Sequence, residues 1–196
     1  GEMDLATYVQ MALCTESVPA WIPEDKRQGL RFTHAVLGLQ SEIPELDVAL
    51  SGDDPVAVVE ELGDLSWYWA VLADVLGLEL SGSYVFADAP FDARLASVHG
   101  KNVENRALLS PLVLEVAHLA NTSKRIVFYG KDELADAEVK RQAVASHARI
   151  GYWIQVVART TGIEAEEVRT RNIRKLEKRY PAKFDAHRAI HRDLAA

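Results

Sequence analysis

Apolar and polar positions recur along most of the chain at the spacing of an α-helix. Apolar residues return every three or four positions, and few runs alternate in the manner of a β-strand. This pattern predicts an all-α fold. The predicted helices cover residues 4–14, 26–47, 55–77, 110–128, 134–161 and 164–179.

Residues with helix-capping chemistry mark where these helices begin and end. One of the two aspartates before Pro55 is predicted to cap the third helix, with Pro55 at its first position. Gly77 supplies a C-terminal cap for the same helix. The last predicted helix stops at Pro181, which leaves residues 185–196 as a polar tail. Residues 79–109 are weakly periodic and are predicted to form a loop with short helical pieces.

The chain carries a faint internal echo. Two pairs of segments share apolar positions together with aromatic residues or a glutamate: 67–79 with 152–164, and 39–46 with 112–119. This echo suggests two related helical hairpins, of which the second is degenerate. In the second hairpin Ser146 stands in place of Glu61, and Arg149 stands in place of Asp64. Shared helix-packing constraints are the alternative explanation.

Composition narrows the class of protein. The chain has 196 residues, of which 48% are hydrophobic and 26% charged, so one globular domain over 1–196 with a core at about 28–184 is expected. A net charge of −7 argues against a surface that binds nucleic acid or anionic lipid. No run approaches the roughly 18 apolar residues of a membrane span. Cys14 is the only cysteine, which fits a soluble protein of the reducing cytoplasm.

Four acids fall on apolar helix faces in two pairs spaced three residues apart. Glu42 and Glu45 lie on the second predicted helix, and Glu61 and Asp64 lie on the third. Residues three apart on a helix are separated by about 60° around its axis, so each pair shares a face. The pattern predicts that the acids point inward, where an uncompensated carboxylate costs several kcal/mol.

Divalent cations would compensate these charges compactly. Oxygen ligands without His or Cys beside them suit Mg²⁺, with Mn²⁺ as a substitute, rather than zinc. The alternative is that each pair caps a helix end or forms salt bridges there. Two pairs on neighbouring helices joined by a short turn favour the metal site.

The segments "GLQSEIPEL" and "EELGDLSWYWAVLADVLG" resemble the all-α nucleoside triphosphate pyrophosphohydrolases, a family that includes MazG-like proteins and dimeric dUTPases. The family signature is EExxE followed, after a spacer, by ExxD. Here fifteen residues separate Glu45 from Glu61. The resemblance implies an antiparallel helical bundle in which both pairs bind Mg²⁺. It covers residues 28–80 closely and 110–184 loosely.

The resemblance also implies an activity and an assembly. The reaction is hydrolysis of a (deoxy)nucleoside triphosphate between its α and β phosphates, and related enzymes are homodimers or homotetramers. Glu42 is the candidate for positioning or deprotonating the attacking water. Two residues depart from the family pattern, since Ser41 replaces the first acid of EExxE and Pro44 stands inside the motif. Pro44 removes a backbone donor and is expected to bend the helix.

The last predicted helix supplies cationic partners for a triphosphate. Asn172, Lys175 and Arg179 form one polar stripe beside Leu176. The motif N-x-x-K-L-x-x-R-Y-P is similar to the C-terminal motif of many MazG-like proteins, in which Asn and Lys face the nucleotide. The alternative is a solvated basic face near the end of a helix, where cations favour the helix dipole.

A second basic cluster lies in "NTSKRIVFYGK", and similar segments occur in relatives. Lys124 and Lys131 are candidates for phosphate contacts, and Tyr129 is a candidate for lining the site. The alternative reading is that they are ordinary surface lysines and a packing tyrosine. Helical tryptophans usually pack in a core, so Trp67, Trp69 and Trp153 are interpreted as core residues. The histidines are interpreted as structural or exposed.

Other functions leave partial traces or none. The sequence has no GxxxxGK[ST] loop and no GxSxG elbow, which excludes a P-loop mechanism and a nucleophile elbow. "EVAH" at 115–118 is a Glu-x-x-His element of the kind found in di-iron bundles, but such bundles need two of them. A non-catalytic helical interaction protein is the remaining alternative.

Overall fold

The computed structural model describes residues 3–80, 107, 109–130 and 132–195. This part of the chain is helical and contains no β-strand, which confirms the predicted all-α fold. Its helices are α1 (Leu5–Leu13), α2 (Arg27–Ser51), α3 (Pro55–Val75), α4 (Leu109–Phe128), α5 (Ala137–Thr160), α6 (Ala165–Arg179) and α7 (Pro181–Ala195). Most of the predicted loop at 79–109 lies outside the described residues.

Local capping explains where several helices begin. The side chain of Asp54 accepts hydrogen bonds from the backbone N–H groups of Val56 and Ala57, and Pro55 occupies the first turn of α3. Asp136 caps α5 in the same way. Gly77, just after α3, has a φ of 68°, a left-handed conformation that glycine adopts without steric cost. The sequence-based assignment of this helix is therefore close at both ends.

The core lies between two helical hairpins. α2 and α3 are joined by only three residues and pack along each other, so they are antiparallel. α2 also packs on α4, α3 packs on α5, and α4 packs on α5. Fully buried leucines fill the space between them: Leu39, Leu46, Leu62, Leu65, Leu72, Leu112 and Leu119. Each contributes about 1.5–3 kcal/mol by leaving water, so packing rather than local propensity holds the bundle together.

α2 continues through Pro44 and ends at Ser51, four residues beyond its predicted end. Pro44 is exposed, so the backbone carbonyl that it leaves without a donor is on the outer side of the helix. On the inner side, a Cβ at Gly38 would clash with the ring of Tyr68. The absence of that Cβ lets α2 and α3 approach closely just before the acidic motif.

The C-terminal segment differs from the sequence-based prediction. The predicted polar tail at 185–196 belongs largely to α7, a new helix that begins at Pro181. The preceding helix ends at Arg179, as predicted. Phe184 is only 1% exposed and joins a small cluster with Tyr8 and Leu176. No helix in the described segments is long and apolar enough to cross a membrane.

Replacing Phe184 with alanine tests the docking of α7. Phe184→Ala is expected to lower the free energy of unfolding by about 3–5 kcal/mol, because it leaves a cavity between α7 and α1. Ile190→Ala, on the same helix but 59% exposed, is the matched control and should change it by less than about 0.5 kcal/mol. Urea denaturation measures both. Equal, small effects would show that α7 is not packed.

Candidate metal centre

Three carboxylates from the first hairpin meet at one point. Glu42 of α2 and Glu61 and Asp64 of α3 each offer an oxygen, and these oxygens lie within 4.8 Å of one another. All three residues are partly buried. Within the described residues, no other group of three or more acidic, histidine or cysteine side chains comes this close. The i,i+3 spacing on α3 and the tight α2–α3 turn together produce the cluster.

Glu45 is the fourth acid of the predicted set, and its side chain is exposed and outside this cluster. The expectation that all four acids point inward is corrected here, because Glu45 lies on the exposed side of α2 whereas Glu42 is partly buried. The charge of Glu45 still reaches the centre, since it raises the pKa values of Glu42 and Glu61. Its role as a metal ligand remains a prediction.

Crowding of the carboxylates changes their proton affinity. Burial is the largest cause that raises the pKa of Glu42, and the charge of Asp64 adds to it. Burial also raises the pKa of Glu61 to about 7, assisted by a hydrogen bond with Glu42 and by the charges of the neighbouring acids. Without a bound cation, the pair therefore shares a proton near neutral pH. A divalent cation would displace that proton.

Glu42 and Asp64 open onto a cleft of about 420 Å³ that also holds the cationic stripe of α6. Nζ of Lys175 lies 2.6 Å from Oδ1 of Asp64 and 3.4 Å from Oε1 of Glu60. Asn172 and Arg179 line the same cleft. The structure thus brings the predicted polar stripe of α6 to the predicted acids of α2 and α3, although these segments are more than a hundred residues apart in the sequence.

The N-terminal helix α1 fixes the side chain of Asn172. It is 4% exposed, and its Oδ1 accepts a hydrogen bond of 2.7 Å from the hydroxyl of Tyr8. Burial raises the pKa of Tyr8 well above its usual value, so the hydroxyl keeps its proton and acts as the donor. A Cβ at Gly63 would press on the Asn172 amide at 3.0 Å, so a glycine gives the amide room. The sequence predicts a helix at 4–14 but assigns it no role at the site.

Aromatic side chains line part of the same cleft. His34, Trp67 and Tyr68 line it and meet edge to face, with 5.1 Å between the ring centroids of Trp67 and Tyr68. Nε1 of Trp67 donates to Oγ1 of Thr15 at 2.8 Å. Trp67, which was interpreted as core, is thus only partly buried and faces the site. Its position three residues after Asp64 indicates, from the sequence alone, that it shares a helix face with that acid.

The other two tryptophans lie in the core, as expected. Trp69 is 3% exposed, stacks on His147 at 4.1 Å between centroids, and donates from Nε1 to the His147 carbonyl. Burial lowers the pKa of His147 to about 4, so its ring is neutral at physiological pH. Trp153 is also buried. His147 therefore has a structural role.

The described residues of the second predicted basic cluster do not line the cleft. Lys124 and Tyr129 lie on and just after α4, both exposed, and neither lines the site. Lys131 lies outside the described residues. The predicted contact of Lys124 and Tyr129 with substrate therefore has no support from the geometry of the described residues.

The second hairpin brings together the residues that correspond to the acids. Nε of Arg149 donates to Oε1 of Glu115 at 2.6 Å, and its Nη2 lies 3.4 Å from Oγ of Ser146. These are the positions that the internal echo aligns with Asp64, Glu42 and Glu61. A guanidinium thus occupies the centre of the second hairpin. Glu115, the acid of the di-iron-like element, is committed to this ion pair.

The donor set of the first hairpin fits a hard divalent cation. It consists of carboxylate oxygens and is only partly buried, and burial together with the charges of the neighbouring acids raises the pKa values of Glu42 and Glu61. Such ligands suit Mg²⁺ or Mn²⁺ and leave room for water and substrate oxygens. Comparisons with family models, with curated proteins and with solved structures find no match to this chain. The assignment therefore rests on the geometry.

The elevated pKa of Glu61 predicts how stability depends on pH without divalent cations. Between its unfolded value of 4.5 and about 7, the folded chain holds a proton that the unfolded chain has lost. Stability from this group is therefore highest in acid and falls as pH rises through that window. Glu61→Gln should flatten the decline and be at least as stable as the parent at pH 8. Melting temperatures measured across that range in EDTA test this, and parallel curves for both proteins would contradict it.

Proposed function

We propose that the protein is a Mg²⁺-dependent nucleoside triphosphate pyrophosphohydrolase, which converts a (deoxy)nucleoside triphosphate and water into the monophosphate and pyrophosphate. The observation that carries the proposal is one cleft with acids on one side and cations on the other. Glu42, Glu61 and Asp64 offer oxygen ligands, and Lys175 and Arg179 face them from α6. A metal-bound polyphosphate needs both kinds of partner.

Each group in the cleft has a role in this reaction. The three carboxylates hold Mg²⁺, which when bound neutralises phosphate charge and lowers the pKa of a coordinated water. Glu42, next to the departure from the family signature, orients the attacking water or accepts its proton. Lys175 and Arg179 hold phosphate oxygens. Asn172, fixed by Tyr8, presents its amide to the substrate.

The aromatic part of the cleft is the natural place for the nucleoside. His34, Trp67 and Tyr68 offer ring faces and edges in the same cleft as the cations of α6. Ser41 does not replace the missing acid of the family signature, because its hydroxyl is exposed and donates to the Gly38 carbonyl at 3.0 Å. Catalysis on this proposal therefore depends on the three clustered acids.

Assembly and cellular role follow from the same proposal. The outer face of α2 exposes Leu37 and Val48, which lie eleven residues apart and therefore on one side of the helix. Their exposure supports a homodimer or homotetramer. The cellular role would be control of the nucleotide pool in the cytoplasm. The alternative, a non-catalytic interaction protein, predicts no turnover of any nucleotide.

Pyrophosphate release tests the proposed activity. The protein is incubated with Mg²⁺ and each canonical or modified (deoxy)nucleoside triphosphate in turn. We expect release from at least one nucleotide, abolished by EDTA and restored by excess Mg²⁺. Folded protein that releases no pyrophosphate from any of them would favour the interaction protein.

Matched glutamine variants locate the active acids. Glu61→Gln should lower turnover by roughly 100-fold or more, because it removes a ligand that stabilises charge in the transition state. Glu60→Gln, at the adjacent but half-exposed position outside the cluster, is the control and should stay within about threefold. Circular dichroism checks the fold of both. Similar activities in the two variants would remove the acid cluster from the reaction.

A further inference from the structure

Lys175 lies where a cation is needed. We infer that its ammonium group holds the place of the divalent cation at Asp64 and is displaced when that cation binds. The inference rests on the proposed function, since it assumes that the acids bind metal. It goes further in two respects. Lys175 takes a second position when the metal ion is bound, and its ammonium group competes with that ion for Asp64.

The first argument is the distance. Nζ of Lys175 is 2.6 Å from Oδ1 of Asp64, a full charge-assisted hydrogen bond to one of the clustered carboxylates. The ammonium thus compensates part of the repulsion among the acids. A metal ion would compensate the same charges.

The second argument is burial. The side chain of Lys175 is 21% exposed and that of Asp64 is 27% exposed, so water screens this pair less than the surface pairs of α6. Arg171 and Glu167, on the same helix, are 47% and 45% exposed. Because attraction grows as screening falls, Lys175 is held at Asp64 more strongly than Arg171 is held at Glu167. A divalent cation must therefore displace a bound partner.

The third argument is that only the side chain has to move. The backbone of α6 is fixed beside Lys175 by the buried Ile173 and Leu176 and by the hydrogen bond from Tyr8 to Asn172. Lysine has a long flexible stem with a compact charge. A divalent cation at the acids would repel the ammonium, and the cleft continues toward Arg179, one turn further along α6. There both cations meet the phosphates of the proposed substrate.

Binding of Mn²⁺ alone tests the inference without any substrate. Free Mn²⁺ is followed by electron paramagnetic resonance during titration of the whole chain at pH 8, where the carboxylates are ionised. Lys175→Gln is expected to bind Mn²⁺ roughly five- to tenfold more tightly than the parent, because the competing ammonium is gone. Lys175→Arg keeps a cation and should stay within about twofold of the parent. Arg171→Gln removes a positive charge from the same helix away from the acids and should also stay within about twofold.

A stability measurement accompanies the titration. Lys175→Gln should melt at a lower temperature than the parent in EDTA, because the acids have lost their counter-ion, and Mn²⁺ should restore most of the difference. Equal Mn²⁺ affinities for parent and Lys175→Gln, or weaker binding by the variant, would overturn the inference. Tighter binding by Arg171→Gln to the same degree would overturn it too, by showing a general effect of charge.

The outcomes also separate this inference from the proposed function. Absence of Mn²⁺ binding to every protein would overturn the metal centre and the inference together. Tighter binding by Lys175→Gln, with no pyrophosphate release by the parent, would support the competition at Asp64 and reject the proposed reaction. Pyrophosphate release with equal Mn²⁺ affinities would retain the reaction and reject the competition.

Discussion

Repulsion among three carboxylates held together by packing is the constraint on which this site depends. The α2–α3 hairpin is fixed by buried leucines, so the backbone positions that carry Glu42, Glu61 and Asp64 stay close together. Their charges are therefore compensated in other ways. A proton is retained near Glu61, an ammonium group lies on Asp64, and the remaining exposure to water screens the rest. A bound divalent cation would replace the proton and the ammonium group as the source of compensating charge.

The geometry of the cleft comes from distant parts of the chain. α6 carries the cations, but its orientation depends on α1, whose Tyr8 is 164 positions away from the amide that it holds. α7 contributes in a similar way, since Lys183 donates to Oγ of Ser17 at 2.7 Å and joins the C-terminal helix to the segment after α1. Segments near both ends of the described chain thus line the same cleft as the acids.

Much of this arrangement was predictable from the sequence, and the failures have physical reasons. Spacing of three residues identified Glu61 and Asp64 as neighbours, and the stripe from Asn172 to Arg179 gave the cationic wall. Periodicity assigns a residue to a helix face but does not give the angle at which the next helix covers it, so Glu45 was placed inward with Glu42. Phe184 lies six residues before the next large apolar residue, Ile190, so no continuous apolar stripe at helical spacing runs through the segment to indicate a packed helix.

The ion pair between Arg149 and Glu115 makes the two hairpins differ in their need for a cation from solution. The positive charge of Arg149 is covalently part of the chain, so charge compensation in the second hairpin does not depend on the concentration of free metal ions. If the proposed function holds, the lobe of α2 and α3 instead depends on the amount of free magnesium around it. The chain would then contain one hairpin whose charge compensation is constant and another whose charge compensation depends on the magnesium concentration.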